Sequence, residues 1–80
     1  SQGGSFAVIL DFDIDRYDEI DAFYADWVEG QSITNLVDTA TENPRARGWS
    51  GEIGGATFVV NLLENLGTDI MNLAVNWEDS

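Results

Sequence analysis

Residues 6–12 (FAVILDF) form a short, nearly continuous apolar run that ends in acids, the pattern of a buried strand. Across 16–29 the apolar residues Tyr17, Ile20, Tyr24 and Trp27 recur at spacings of three and four, with Phe23 beside them, and that period predicts an amphipathic helix. Asp15 stands where a carboxylate accepts the free N–H groups of a first turn. Asp18 and Glu19 suit the positive end of the helix dipole, and Gly30 marks a stop. Residues 32–41 (SITNLVDTAT) fit either period: Ile33, Leu36, Val37 and Ala40 suit a helix, while the threonines and branched residues suit a strand. We read them as a second strand or an irregular edge segment. Residues 43–55 (NPRARGWSGEIGG) hold the only proline and four of the eight glycines, and read as a loop.

The last segment carries the longest periodic pattern. Ala56, Val59, Leu63, Leu66, Ile70, Leu73 and Trp77 are separated alternately by three and four, which predicts a long apolar C-terminal helix, with Gly67, Thr68 and Asp69 as a point where it could divide. Phe58, Val60, Leu62, Met71, Ala74 and Val75 widen the apolar surface beyond that seam. The surplus is buried either by a small sheet and the first helix or by a second protomer. Leu63, Leu66, Ile70, Leu73 and Trp77 are thus candidate association residues. The expected fold is α+β: one or two strands, an acidic amphipathic helix and the long apolar helix, in a single domain over 6–80 behind a disordered end at 1–5.

Length and composition support one folded domain, since 44% apolar residues with nine aromatics suffice for a core in 80 residues. Charge changes the picture most. Fifteen acids face three arginines, with no lysine, histidine or cysteine, for a net charge of −12. A field of that sign opposes phosphate backbones and anionic membranes and attracts basic protein surfaces. The missing lysine, histidine and cysteine are the side chains most used as general base, nucleophile or transition-metal ligand, so the chain reads as a binding protein, not an enzyme, with no cofactor. Salt-adapted or GC-rich organisms also favour arginine and surface carboxylates, a composition effect independent of function. Against that stands an uneven distribution, because eight of the fifteen acids lie between positions 11 and 29. On the predicted helix Asp18, Asp21, Asp26 and Glu29 fall away from the apolar stripe and form the candidate acidic face. Arg45 and Arg47 could pin their loop to that face, and Trp49 beside them is either an exposed partner anchor or a cover for the core edge. The lack of cysteine fits a cytoplasmic protein, and no segment reads as membrane-spanning.

Sharper motifs fail on their residues. Registered as a calcium loop from Asp13, the run at 11–21 puts Asp18 at the turn glycine and Tyr24 at the final bidentate carboxylate. Residues 66–73 (LGTDIMNL) put Ile70 where an acyl carrier protein needs its serine. The succession of a short strand, a helix with a late Trp27, a loop ending in Gly51-Glu52-Ile53-Gly54-Gly55, and an apolar helix with Leu66-Gly67 that ends near Ala74 and Trp77 resembles the effector-associated constant component family. Those are small α/β domains of bacterial conflict systems. The resemblance implies a non-catalytic adaptor that recruits effectors by domain pairing. The expected function is therefore an acidic protein–protein interaction module with a basic protein partner or a second copy of itself. The alternative is an inhibitor that mimics nucleic acid, whose helical acids, spaced roughly 5–6 Å, imitate a phosphate row in a basic channel.

Overall fold

Alternation with period two, not a heptad, organises the second half of the chain. Ala56, Phe58, Val60 and Leu62 on one segment, and Met71, Leu73, Val75 and Trp77 on the next, all point to one side. Between them Gly67 takes a φ of +83° and Thr68 closes the turn, its hydroxyl donating to the Asn65 carbonyl at 2.8 Å and its oxygen accepting the Ile70 N–H at 3.2 Å. Both periods coexist in so apolar a stretch. Branched and aromatic residues on either side of a turn settle it as a hairpin.

The computed structural model describes residues 4–79. In chain order it contains β1 (Ser5–Asp13), a 3-10 turn (Ile14–Arg16), α1 (Tyr17–Glu29), β2 (Thr34–Glu42), β3 (Arg45–Ile53), β4 (Ala56–Glu64) and β5 (Ile70–Asp79). The strands form one antiparallel sheet in the order β1-β5-β4-β3-β2. The first strand thus pairs with the last, and the connection from β1 to β2 must cross four strand spacings of about 4.8 Å each. Helix α1 makes that crossing and covers one face of the sheet. Tight turns build the rest. Gly54 and Gly55, with φ of +56° and +89°, supply the two left-handed positions of the two-residue hairpin between Ile53 and Ala56. Asn43 and Pro44 join β2 to β3 through a cis peptide bond.

The core lies between α1 and the middle of the sheet. Trp49 on β3, Phe58, Val60 and Leu62 on β4, and Met71 and Leu73 on β5 meet Tyr17, Ile20 and Val28 of the helix. Trp27 packs edge-on against Phe58, with ring centroids 5.3 Å apart, and Tyr24 lies 6.2 Å from Trp49. Gly51 on β3 is required by close approach, because a Cβ there would stand 2.5 Å from Ile33 Cγ2 and 3.1 Å from the Thr34 carbonyl.

The strand at 6–12, the helix over 16–29 with its stop at Gly30, and the second strand or irregular edge segment in 32–41 correspond to β1, α1 and the regular strand β2. The rest of the α+β expectation is corrected: this is a mostly β domain with one short helix and no long apolar C-terminal helix. Leu63 and Ile70 lie on the open face of the sheet, Leu66 in the β4–β5 turn, and Leu73 and Trp77 on the helix-covered face, so the five form no common seam. The segment read as a loop is mostly β3. Trp49 is not an exposed anchor but is 1% exposed at the centre of the core. Asp15 sits within the 3-10 turn, and neither helical element has a side-chain cap. Of the end expected to be disordered at 1–5, residues 1–3 lie outside the described residues, while Ser5 begins β1 and the Gly4 carbonyl accepts the Asp79 N–H at 2.8 Å.

A helical seam would make Leu66 and Leu73 equivalent; the sheet makes them opposite. Leu66→Asp is expected to change unfolding free energy by less than about 0.5 kcal/mol. Leu73→Asp should cost about 4 kcal/mol or abolish folding, because it buries a carboxylate among apolar neighbours. Urea denaturation followed by tryptophan fluorescence checks both.

Candidate protein interface

All three cations are spent inside the fold. Arg16, at the start of the helix, donates to Glu19 at 2.7 Å and lies 6.0 Å from the Phe12 ring. Arg45, the first residue of β3, pairs with Asp18, and its guanidinium stacks 4.0 Å above the Tyr17 ring. Arg47, two residues on and on the same side, stands 3.5 Å from Asp21, 3.3 Å from Asp38 on β2, and 4.5 Å from the Trp49 ring. The pinning expected of Arg45 and Arg47 is therefore realised, from a strand instead of a loop. The candidate acidic face divides. Asp18 and Asp21 are held against β3, while Asp26 and Glu29 have no arginine within 4.0 Å among the described residues.

Eleven of the fifteen carboxylates are in the same condition as Asp26 and Glu29. They gather at the two ends of the sheet. Asp11, Asp13, Asp15 and Asp69 surround the point where β1 ends and β5 begins, where the Ile14 N–H donates to the Asp69 carbonyl at 2.8 Å. Asp26, Glu29, Glu52, Glu78 and Asp79 lie towards the other end. Among the described residues no three carboxylates are arranged to hold a metal ion. Asp11 is instead tied down by amides: Asn72 on β5 donates to it and in turn accepts from Asn65 at 2.6 Å.

The second feature is apolar. Phe6, Val8, Leu10 and Phe12 pair in register with Trp77, Val75, Leu73 and Met71, so their side chains take the helix-covered side of the sheet. The helix, however, leans over β3 and β4, through Tyr24 on Trp49 and Trp27 on Phe58, and leaves β1 uncovered. Phe6 is 52% exposed, Val8 39% and Leu10 47%, and Ile9 on the opposite face is 73% exposed. Arg16 reaching Phe12 identifies the flank of α1 that faces β1; Phe23, two turns further along that flank, is 63% exposed.

The two edges of the sheet differ. Edge β2 carries a register break between Thr34 and Val37, a positive φ at Asn35, and Asp38 and Glu42 along its length, all devices that discourage a further strand. Edge β1 keeps unbroken register over nine residues with no proline, bulge or charge before Asp11. Reading 6–12 as a buried strand missed this, although apolar residues on both faces of an edge strand were the visible signal.

No known protein family, curated protein or solved structure matches this chain. Its segment from Gly51 to Trp77, quoted above for the family resemblance, adopts the end of β3, the β4 strand and most of β5. Among the described residues no helix is long and apolar enough to cross a membrane.

Tyr17 is 2% exposed, and its hydroxyl has no hydrogen-bond partner among the described residues. Burial, reinforced by the Asp21 carboxylate, raises its pKa above the usual tyrosine value, with Arg45 and Arg47 opposing. The folded protein therefore resists this ionisation more than the unfolded chain does. The stability Tyr17 contributes is complete below about pH 10 and is lost as pH rises through the folded pKa. Tyr17→Phe keeps the ring beneath Arg45. It should leave stability at neutral pH unchanged or up to about 1 kcal/mol higher, and should flatten the alkaline decline, as read by urea denaturation from about pH 7 to about pH 10.5. Arg47→Ala removes a stacked cation from between two carboxylates and should cost about 2 kcal/mol, whereas Arg16→Ala breaks one exposed pair and should cost under about 0.5 kcal/mol by the same assay.

Proposed function

We propose that this chain is a non-catalytic protein–protein interaction module that binds a basic segment of a partner protein. The observation that carries the reading is the distribution of charge: the three arginines are consumed in internal pairs, and eleven carboxylates are left without an arginine partner, nine of them on exposed residues. Such a surface attracts cationic partners and accelerates their encounter, while it repels phosphate backbones and anionic lipid. An adaptor is the form of this role that the family resemblance implies. Association through an apolar C-terminal helix is not part of it, since that stretch is β4, a turn and β5.

The row of helical acids on which nucleic-acid mimicry depends is interrupted. Asp18 is held by Arg45 and Asp21 by Arg47, which leaves Asp26 and Glu29 alone at the far end of the helix. A mimic needs evenly spaced free charges, so the interaction-module reading is the stronger of the two.

Selection from a display library of random linear peptides tests it. Recovered peptides are expected to be enriched in lysine and arginine, and their affinity to fall about tenfold or more from about 0.05 to about 0.5 M salt. Recovery of peptides without cationic enrichment, or binding indifferent to salt, would overturn the proposal.

A further inference from the structure

We infer that β1 is a receptor edge for strand addition, and that its ligand is an extended segment of a partner protein with basic residues followed by alternating apolar ones. The inference rests on the reading of the chain as a binder of basic segments and names where and how that segment sits. An edge strand offers a row of backbone N–H and C=O groups that no neighbour satisfies, and among the described residues this edge is open, unbroken in register and free of charge from Ser5 to Leu10, while β2 is broken in register and carries Asp38 at mid-strand. A protein that only needed solubility would guard both edges.

Side chains of β1 select the occupant. On the helix side Phe6, Val8 and Leu10 stand half-exposed, with Phe23 projecting from the flanking helix, so an added strand finds an apolar shelf for every second residue. At the end of the strand the surface changes to Asp11, Asp13, Asp15 and Asp69, none of them paired with an arginine. Residues of the partner that lie against this end must be cationic. Antiparallel pairing is the more stable arrangement, and it runs the partner's N-terminal residues past the end of β1, which places its basic residues before its apolar ones. A second copy of this chain is the wrong occupant. Two molecules of charge −12 would be brought together, and the strand that each offers carries acids at one end and no cation.

Three measurements on the folded protein test the assignment with a synthetic peptide of three basic residues followed by six of alternating valine and threonine. Binding should protect alternate β1 amides from hydrogen exchange and leave those of β2 unchanged. N-methylation of alternate peptide amides should reduce affinity about tenfold or more, a readout that leaves the protein untouched. Phe6→Asp and Leu10→Asp, at exposed positions, should also weaken binding about tenfold. Charge alone predicts the opposite, since each adds a negative group for a basic peptide. The inference is overturned if N-methylation has no effect, if the aspartate variants bind more tightly, if protection falls on β2, or if the reversed peptide binds better. It is also overturned if the free protein dimerises with β1 amides protected. If the peptides selected from the library are basic but these β1 tests fail, the interaction-module reading stands and only the site is lost. If peptides without cations add to β1, the edge stands and the charge reading falls.

Discussion

The pairing of the first strand with the last organises this molecule. Ser5 lies opposite Glu78 and Asp13 opposite Ile70, so a contact spanning nearly the whole chain defines the sheet, and its loop-closure entropy must be offset by everything between. Once β1 lies beside β5, three tight antiparallel hairpins place β2 at the opposite edge. The chain must then travel from one edge to the other between its first two strands. The helix is the segment that does so, and among the described residues its apolar stripe supplies the only helical cover of the sheet. A single 13-residue helix cannot shield five strands. It settles over β3 and β4, with Tyr24 against Trp49 and Trp27 against Phe58, and β1 is left bare.

Charge is handled with the same economy. Each of the three guanidiniums pairs with a carboxylate and also lies within 6.0 Å of an aromatic ring: Arg16 with Phe12, Arg45 with Tyr17 and Arg47 with Trp49. A planar, weakly hydrated cation suits both contacts at once, while a lysine ammonium would satisfy the carboxylate and hold water against the ring. The absence of lysine therefore has a physical use here, whatever the nucleotide composition of the source. Arg45 and Arg47 spent in this way anchor α1 to β3, Arg16 pairs within the start of the helix, and the remaining acids are left without an arginine. The interface we propose has two parts, an apolar edge that offers backbone hydrogen bonds and a carboxylate cluster that would fix direction.

How much of this was legible in the chain varies by segment. The helix could be read because Tyr17, Ile20, Tyr24 and Trp27 make one stripe and Gly30 ends it, signals that act within a few residues. Residues 56–77 misled because Val59, Leu63, Leu66, Ile70 and Leu73 satisfy a spacing of three and four while their neighbours satisfy a spacing of two. Dense apolar sequence contains both periods. Residues 43–55 misled in another way, since Gly48 and Gly51 look like loop residues but serve where Thr39 and Asn61 of the neighbouring strands, and Ile33 with the Thr34 carbonyl at the start of β2, occupy the space of a Cβ. That crowding exists only once β2, β3 and β4 are assembled.

The sequence by itself determined the single small domain, the amphipathic helix, the first strand and the net charge of −12, because each depends on composition or on contacts within a few residues. Tertiary structure decided which acids are neutralised, which edge is open and which apolar residues are covered. Trp49 and Phe6 show the division. Phe6 opens an apolar run and Trp49 lies in a polar, glycine-rich one, yet Trp49 is 1% exposed and Phe6 52%, because strand order puts β3 under the helix and β1 beyond its reach. Strand order arises from long-range pairing, and no local pattern encodes it.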